Sequence, residues 1–225
     1  MNRKMKSSLP MLAIGLAAWI NCIGGTATAA DAVFAHRADP ATVQKLLSAP
    51  ARELSRSPVL RGHFSQRKFL RELPTPLTSS GDFLFARDLG ISWHTRVPFD
   101  SEFVLSRTGM MQKDSGSVAM SLSSDQQPAL QIALRLFVGL FSLDLDALAA
   151  DFDLYGIKTG EHWQLGLKPK SAAMSAVFNE ALVDGATTVE SVEMHDASGD
   201  RTLITILDMQ TAPAPTPEDR RHFAR

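Results

Sequence analysis

The stretch Gly81-Asp82-Phe83-Leu84-Phe85-Ala86-Arg87-Asp88-Leu89-Gly90-Ile91-Ser92-Trp93-His94-Thr95-Arg96-Val97 decides the fold. Phe83 and Phe85 alternate with Asp82 and Leu84, Gly90 breaks the run, and Ile91, Trp93, Thr95 and Val97 alternate again. A period of two marks strands, because successive side chains leave opposite faces of the pleat. Two such strands predict an antiparallel pair with one face rich in aromatic rings.

The same period extends outward. Upstream, Leu60, Gly62, Phe64, Gln66 and Lys68 alternate with Arg61, His63, Ser65 and Arg67; downstream, Phe103 and Leu105 start a further strand. The turn signals Thr108-Gly109 and Asp114-Ser115-Gly116 bracket a hairpin arm, so residues 59–122 read as an antiparallel meander. Ahead of it, Asp39 and Pro40 make an N-cap with proline at the first helical position. Val43, Leu46 and Leu47 then define a short helix expected to end at Pro50, and Pro58 closes the next helical stretch.

Beyond the meander the period changes to three and four. Leu130, Leu134, Phe137, Val138 and Phe141 mark one helix face, and Ile132, Leu136 and Leu140 make it apolar nearly all round, so it needs cover on more than one side. A second helical segment, Asp144 to Phe152, precedes strands at 152–158 and 162–168. A strand with alternating Met174, Ala176, Phe178 and Leu182 follows, then strands at 189–194 and 203–207. Pro213, Pro215 and Pro217 exclude an interior strand, which leaves 211–225 as a proline-rich tail.

The first 30 of the 225 residues read as an export signal: a cationic Met1 to Lys6, an apolar Leu9 to Ile23, and small residues at Ala27-Thr28-Ala29 and Thr28-Ala29-Ala30. Trp19, Ile20 and Asn21 are poor predecessors for a lipid-bearing cysteine, so Cys22 is read as part of the signal and the product as unlipidated and periplasmic. Removing Arg3, Lys4 and Lys6 from 23 basic residues leaves 20 against 24 acidic ones, a net charge of −4. That excludes a basic nucleic-acid footprint. Cys22 is the one cysteine of the chain, so the mature part contains neither a disulfide framework nor a thiol nucleophile.

Enzyme signatures do not emerge. The six histidines, at 36, 63, 94, 162, 195 and 222, show no helical metal spacing, and no phosphate loop or nucleophile elbow occurs. Asp144, Asp146, Asp151 and Asp153 straddle a helical segment without the glycine-hinged loop of a calcium site, and read as a solvated face. No catalytic residue, metal or cofactor is nominated. What stands out is the surplus of apolar side chains: the lipophilic helix and strands bearing Phe64, Phe69, Phe83, Phe85, Trp93 and Phe103. They read either as a packed core or as the lining of a cavity in a curled sheet, where each methylene taken from water gains about 0.8 kcal/mol.

These residues resemble the LolA-like periplasmic lipoprotein carriers. Phe64-Ser65-Gln66 is similar to that family's early F-x-Q strand, and Gly81-Asp82, Arg87, Trp93-His94 and Pro98 fall at the family's spacing. A weaker likeness continues through Leu167-Lys168-Pro169-Lys170 and the Asp184-Gly185 and Gly199-Asp200 turns, so that it spans residues 40 to 208. The resemblance implies a mainly β fold with some α, a half-open antiparallel barrel of about eleven strands whose helical lid encloses an apolar cavity. It implies three parts: a cleaved signal over 1–30, a carrier domain over 31–210 and the tail over 211–225.

The implied function is to shield the acyl chains of lipoproteins and ferry them from the inner to the outer membrane. The alternatives are another lipid or acyl product as cargo, such as a glycolipid or a pigment-type ester, and a non-carrier periplasmic binding module. The implied partners are the acylated cargo, an inner-membrane export machinery and an outer-membrane acceptor, with the carrier a monomer and no nucleic acid involved. The implied ligand-binding residues are Phe64, Phe83, Phe85, Arg87, Ile91, Trp93, Leu134 and Phe137. In the family the arginine hydrogen-bonds to the lid and holds the empty form closed, a role that passes to Arg87. Asp88 stands where the family has proline and is a candidate partner for that arginine.

Overall fold

The computed structural model describes residues 29–35, 37, 39–125, 128–176 and 178–223. The expected signal features from Met1 to Thr28, Cys22 among them, lie outside the described residues.

Eleven strands form one antiparallel sheet. Six come from the first meander: β1 (Val59–Phe69), β2 (Leu77–Ala86), β3 (Gly90–Val97), β4 (Ser101–Ser106), β5 (Gly109–Asp114) and β6 (Ser117–Ser123). Five come from the second: β7 (Phe152–Thr159), β8 (His162–Pro169), β9 (Phe178–Gly185), β10 (Val189–Asp196) and β11 (Arg201–Ala212). Their spatial order is β6-β5-β4-β3-β2-β1-β11-β10-β9-β8-β7, so the meanders join through β1 and β11.

This order dictates where the helices go. The chain leaves β6 at one edge of the sheet and must re-enter as β7 at the other. It crosses as α3 (Pro128–Ser142) and α4 (Leu145–Asp151), with Leu143 between them in the left-handed region at φ 47°. One apolar cluster takes in Phe64, Phe85 and Leu105 from one wing, Leu165 and Val183 from the other, and Leu140, Phe141 and Leu148 from the crossing helices. Strands stand about 4.8 Å apart, so eleven of them share a single core only if the sheet bends around it. The helices lie inside that bend.

Helix α2 (Pro40–Arg56) also fills the bend, packing on β7 and α4. The Asp39 side chain accepts from the Thr42 backbone N–H, the expected N-cap. The expected break at Pro50 does not occur. Val43, Leu47, Pro50 and Leu54 are all buried at four- and three-residue spacing, so the proline continues the apolar stripe, and burial of that stripe outweighs one lost backbone hydrogen bond.

Two further expectations give way. Met174 and Ala176 are not in a strand: Ser171 caps a single helical turn, α5 (Ala172–Ser175), and β9 starts only at Phe178. Alternation over so few residues does not separate a turn of helix from a strand end. The tail is structured as well. β11 runs to Ala212, beyond the expected boundary at 210, and Pro217 opens a helix, α6 (Pro217–His222), whose Thr216 and Asp219 form a capping box.

Helix α6 covers the convex face. Asp219 is buried and receives both Nε (3.1 Å) and Nη2 of Arg61. Val59, Leu84 and Ala86 make a small second cluster with Leu89, Ala212 and Phe223. The opposite edge is closed by α1 (Ala29–Phe34), which packs on β7 and β8 with Val33 buried, while Arg37 bridges to Tyr155. Among the described residues no helix is long and apolar enough to cross a membrane.

Candidate functional site

Register places the predicted site residues on one face. Phe85 pairs with Leu60 and Ile91, Phe83 with Gly62 and Trp93, and Phe64 with Gly81. With a period of two, Phe64, Phe83, Phe85, Ile91 and Trp93 therefore all point into the bend, while Leu84, Ser92 and His94 point to the convex side. Gly81, the first residue of the motif, is needed at the register shift between β2 and β3, where an added Cβ would stand 1.9 Å from the His94 carbonyl oxygen.

The inward rings fill the bend. Phe64 stacks on Trp93 with centroids 3.9 Å apart, and Phe141 of α3 lies 5.4 Å from both Phe83 and Phe85. Phe64, Phe83, Phe85 and Ile91 are at most 3% exposed. Leu134 is buried under α3, and Phe137 and Trp93 are partly buried against the same cluster. The predicted cavity is thus occupied by the protein's own side chains. Phe141 is the ring that closes the stack, and α3's helical spacing carried that signal.

Arg87 ties α2 and α3 to the end of β2. It follows the end of β2, and its backbone N–H donates to the Pro58 carbonyl (2.9 Å). Its guanidinium donates Nε to Ser142 Oγ at the end of α3 (3.2 Å), Nη1 to the Ser55 carbonyl and Nη2 to the Leu54 carbonyl at the end of α2 (3.1 Å each). Carbonyls in the last turn of a helix have no partner within the helix and carry partial negative charge, which suits a guanidinium. Sequence reasoning anticipated such acceptors; what it lacked were Ser142, Leu54 and Ser55, whose approach to Arg87 depends on the crossing of α3 and α2. Asp88 does not pair with Arg87: its carboxylate faces Arg107 at 3.7 Å, on the solvent side. A cleft of about 360 Å³ opens along this seam, with Ser48, Arg87, Val138, Ser142 and Leu145 in its walls.

The polar residues noted in the sequence turn out to be partnered separately. Asp144 caps α4 through the Ala147 N–H, Asp146 accepts from Gln44, Asp151 pairs with Arg135 and Asp153 with Arg37. His63 and Arg96 share Asp82, and His94 pairs with Asp100, all on or near the convex face. Burial pushes the Asp82 carboxyl up, but the hydrogen bonds from Arg96 and His63 outweigh it and hold it below the usual carboxylate range. Among the described residues no three His, Cys, Asp or Glu side chains gather as a metal site.

A sheet bent round an apolar face that helices cover, with one guanidinium joining the end of β2 to the ends of those helices, has the half-barrel form of the lipid-carrier class. The family model described as "Outer membrane lipoprotein carrier protein LolA" matches residues 55–219, and the chain belongs to that family. Its members are carriers rather than enzymes and work in the periplasm.

Similar solved structures include a LolA superfamily protein from Nitrosomonas europaea (10% identity, TM-score 0.45, covering 81% of this chain and 97% of that one). LprF from Mycobacterium bovis is 13% identical with a TM-score of 0.41 and coverage of 80% and 97%. A putative outer membrane lipoprotein-sorting protein domain from Vibrio parahaemolyticus is 10% identical with a TM-score of 0.37 and coverage of 77% and 94%. No curated protein sequence matches the chain.

Proposed function

We propose that this protein takes up the acyl chains of a lipoprotein under α3 and ferries them through the periplasm from an inner-membrane export machinery to an outer-membrane acceptor. The observation that carries this reading is the Arg87 guanidinium, which spans the ends of β2, α2 and α3, two residues after Phe85 and in contact with Ser142, the residue after Phe141. Phe64, Phe83, Phe85, Ile91, Trp93, Leu134 and Phe137 form the surface that acyl chains meet once the lid lifts, and Arg87 is the latch. Entry of cargo exchanges three hydrogen bonds for apolar burial of about 0.8 kcal/mol per methylene, which keeps loaded and empty forms close in energy. The residues up to Ala29 or Ala30 are the export signal, and the mature chain accordingly starts at Ala30 or Asp31 as an unlipidated monomer.

Organic extraction of the protein as recovered from the periplasm, followed by mass spectrometry, tests this reading. Lipoprotein acyl chains support it. Free glycolipid or an acyl ester makes the protein a carrier of another cargo. No lipid under conditions that load an authentic carrier leaves a binding module with a filled core, a reading that the 0 to 3% exposure of Phe64, Phe83 and Phe85 favours. Intact mass decides the start: a diacylated species beginning at Cys22 would overturn the localisation.

A further inference from the structure

Most of the exposed large apolar side chains gather at one end of the sheet. Phe99 is 80% exposed in the turn between β3 and β4, and Val97, Leu77 and Leu73 are each about half exposed. Register brings them together. Val97 is opposite Ser80, so Leu77 lies three residues, about 10 Å, further out along β2, beside the turn that carries Phe99. Pro74, Pro76 and Pro98 stiffen the same turns and are themselves partly or fully exposed. The β5–β6 turn leans on this end through the Ser115 N–H, which donates to the Asp100 carbonyl (3.0 Å), and adds Val118.

Charges that would oppose burial of these tips are turned back to the protein. Asp100, next to Phe99, directs its carboxylate to His94 Nε2 at 2.6 Å. Arg96 pairs with Asp82, and Arg71 is engaged by its backbone N–H with the Asp200 carboxylate (3.1 Å) and by Nη1 with the Ser198 carbonyl (3.2 Å). The tips that project furthest are therefore apolar, with the exposed Glu72 beside Leu73. The side chains stand on two separate turns as prongs. Prongs of this kind suit a fluid apolar medium that closes round each of them.

Their position gives them a direction. Arg87 and Ser142, the latch, are at the far end of β2, about 30 Å from Leu77 at 3.4 Å per residue. The lid contacts β3 and β4 on that far side, where Gln131 donates to the Arg107 carbonyl (3.2 Å). We infer that the Leu73, Leu77, Val97 and Phe99 end is a membrane-docking surface: its apolar tips enter the interfacial layer of a bilayer and bring the end of the half-barrel that the lid leaves uncovered against the lipid. Resting on the carrier reading, this names the lipid surface itself as the partner from which acyl chains are drawn.

The test is flotation of the protein, in the form the cell produces, with vesicles of phosphatidylethanolamine and phosphatidylglycerol. Wild type floats with the vesicles, and raising the salt does not release it, because the contact is apolar. Phe99→Glu lowers the bound fraction at least tenfold, Leu77→Glu lowers it in part, and Leu207→Glu, at an exposed apolar residue on the convex strand β11, leaves it unchanged. Wild type that stays in solution, or Phe99→Glu that floats as well as wild type, overturns the docking surface. So does a Phe99→Glu variant that keeps vesicle binding and loses capture by an acceptor protein, which would assign the tips to a protein. Lipid extracted from wild type and Phe99→Glu is measured in parallel: vesicle binding without any co-extracted lipid removes the carrier reading and leaves the docking surface standing.

Discussion

Arg87 and Ser142 touch side chain to side chain across 55 residues of sequence, Nε to Oγ at 3.2 Å, and so join the end of β2 to the end of the helix that covers the bend. The same guanidinium holds two carbonyls of α2, so one side chain fixes both inner helices to the sheet.

Replacing it with leucine keeps the apolar stem and removes the donors. Hydrogen bonds from a charged donor are each worth about 1.5 to 3 kcal/mol, and with partial exposure the net loss of stability for Arg87→Leu is about 2 kcal/mol. The functional effect is larger than that. Uptake of membrane-extracted cargo is undiminished, hand-off to the acceptor slows, and cargo accumulates on the variant, all read in a transfer assay. Equal hand-off rates at matched stability would reduce Arg87 to a structural residue.

A charge on the underside of the lid has a different consequence. Phe137 is half-covered by the apolar cluster and lies one turn before Phe141. Phe137→Glu abolishes the binding of an apolar fluorescent probe while circular dichroism stays that of the folded protein. Unchanged probe binding would return α3 to the role of a permanent core helix.

Gly139 is where the lid meets α4. A Cβ there would stand 2.7 Å from Leu148 Cδ2 and 2.8 Å from its Cγ, and Leu148 is only 1% exposed. On helix propensity alone Gly→Ala would stabilise by about 1 kcal/mol. Here overpacking dominates, and Gly139→Ala destabilises by about 1 to 3 kcal/mol in chemical denaturation. Adding Leu148→Ala relieves the clash, so the double variant loses less than the two single losses together. Simple additivity would mean that α3 and α4 do not press on each other at this point.

Acid loosens the convex face first. Burial raises the Asp219 carboxyl, yet the hydrogen bonds from Arg61 and Thr216 prevail and hold it below the ordinary range. Glu102 is likewise held down against burial by His222, Ser92 and Lys113. A depressed carboxylate contributes stability that is complete above its unfolded pKa, about 4, and lost as pH falls through the lower folded value. The difference in Tm between wild type and Asp219→Asn is therefore greatest near neutrality and narrows from about pH 4 downward. A gap that stays constant to pH 3 would show that the Arg61–Asp219 pair does not contribute through its charge.

The sequence displays an aromatic face of the sheet, because Phe83, Phe85, Ile91 and Trp93 recur with a period that only a strand satisfies, but leaves open which face turns inward until register pairs these residues with Leu60, Gly62 and Phe64; the latch role of Arg87 comes from the family resemblance alone. What the sequence hid was long-range or two-sided. Pro50 looks like a helix end until Val43, Leu47 and Leu54 are seen to share its buried stripe. Leu84 was read only as the outward neighbour of two phenylalanines, whereas it anchors a second small core with Phe223, 139 residues away. The partners of Arg87 on α2 and α3 are set by helix crossing, which no local period encodes.

The connection from β6 to β7 ties the two outermost strands of the sheet to each other, because residues 124–151 join them across the bend. It works as a drawstring. On the carrier reading proposed above, lifting α3 slackens a cord whose ends are sewn to opposite rims, so uncovering the interior and letting the rims part are a single motion. The length of the cord then sets how far the pouch can gape, and with it the girth of whatever it can carry: shortening or lengthening this one link would resize the cargo while every residue that touches it stayed the same.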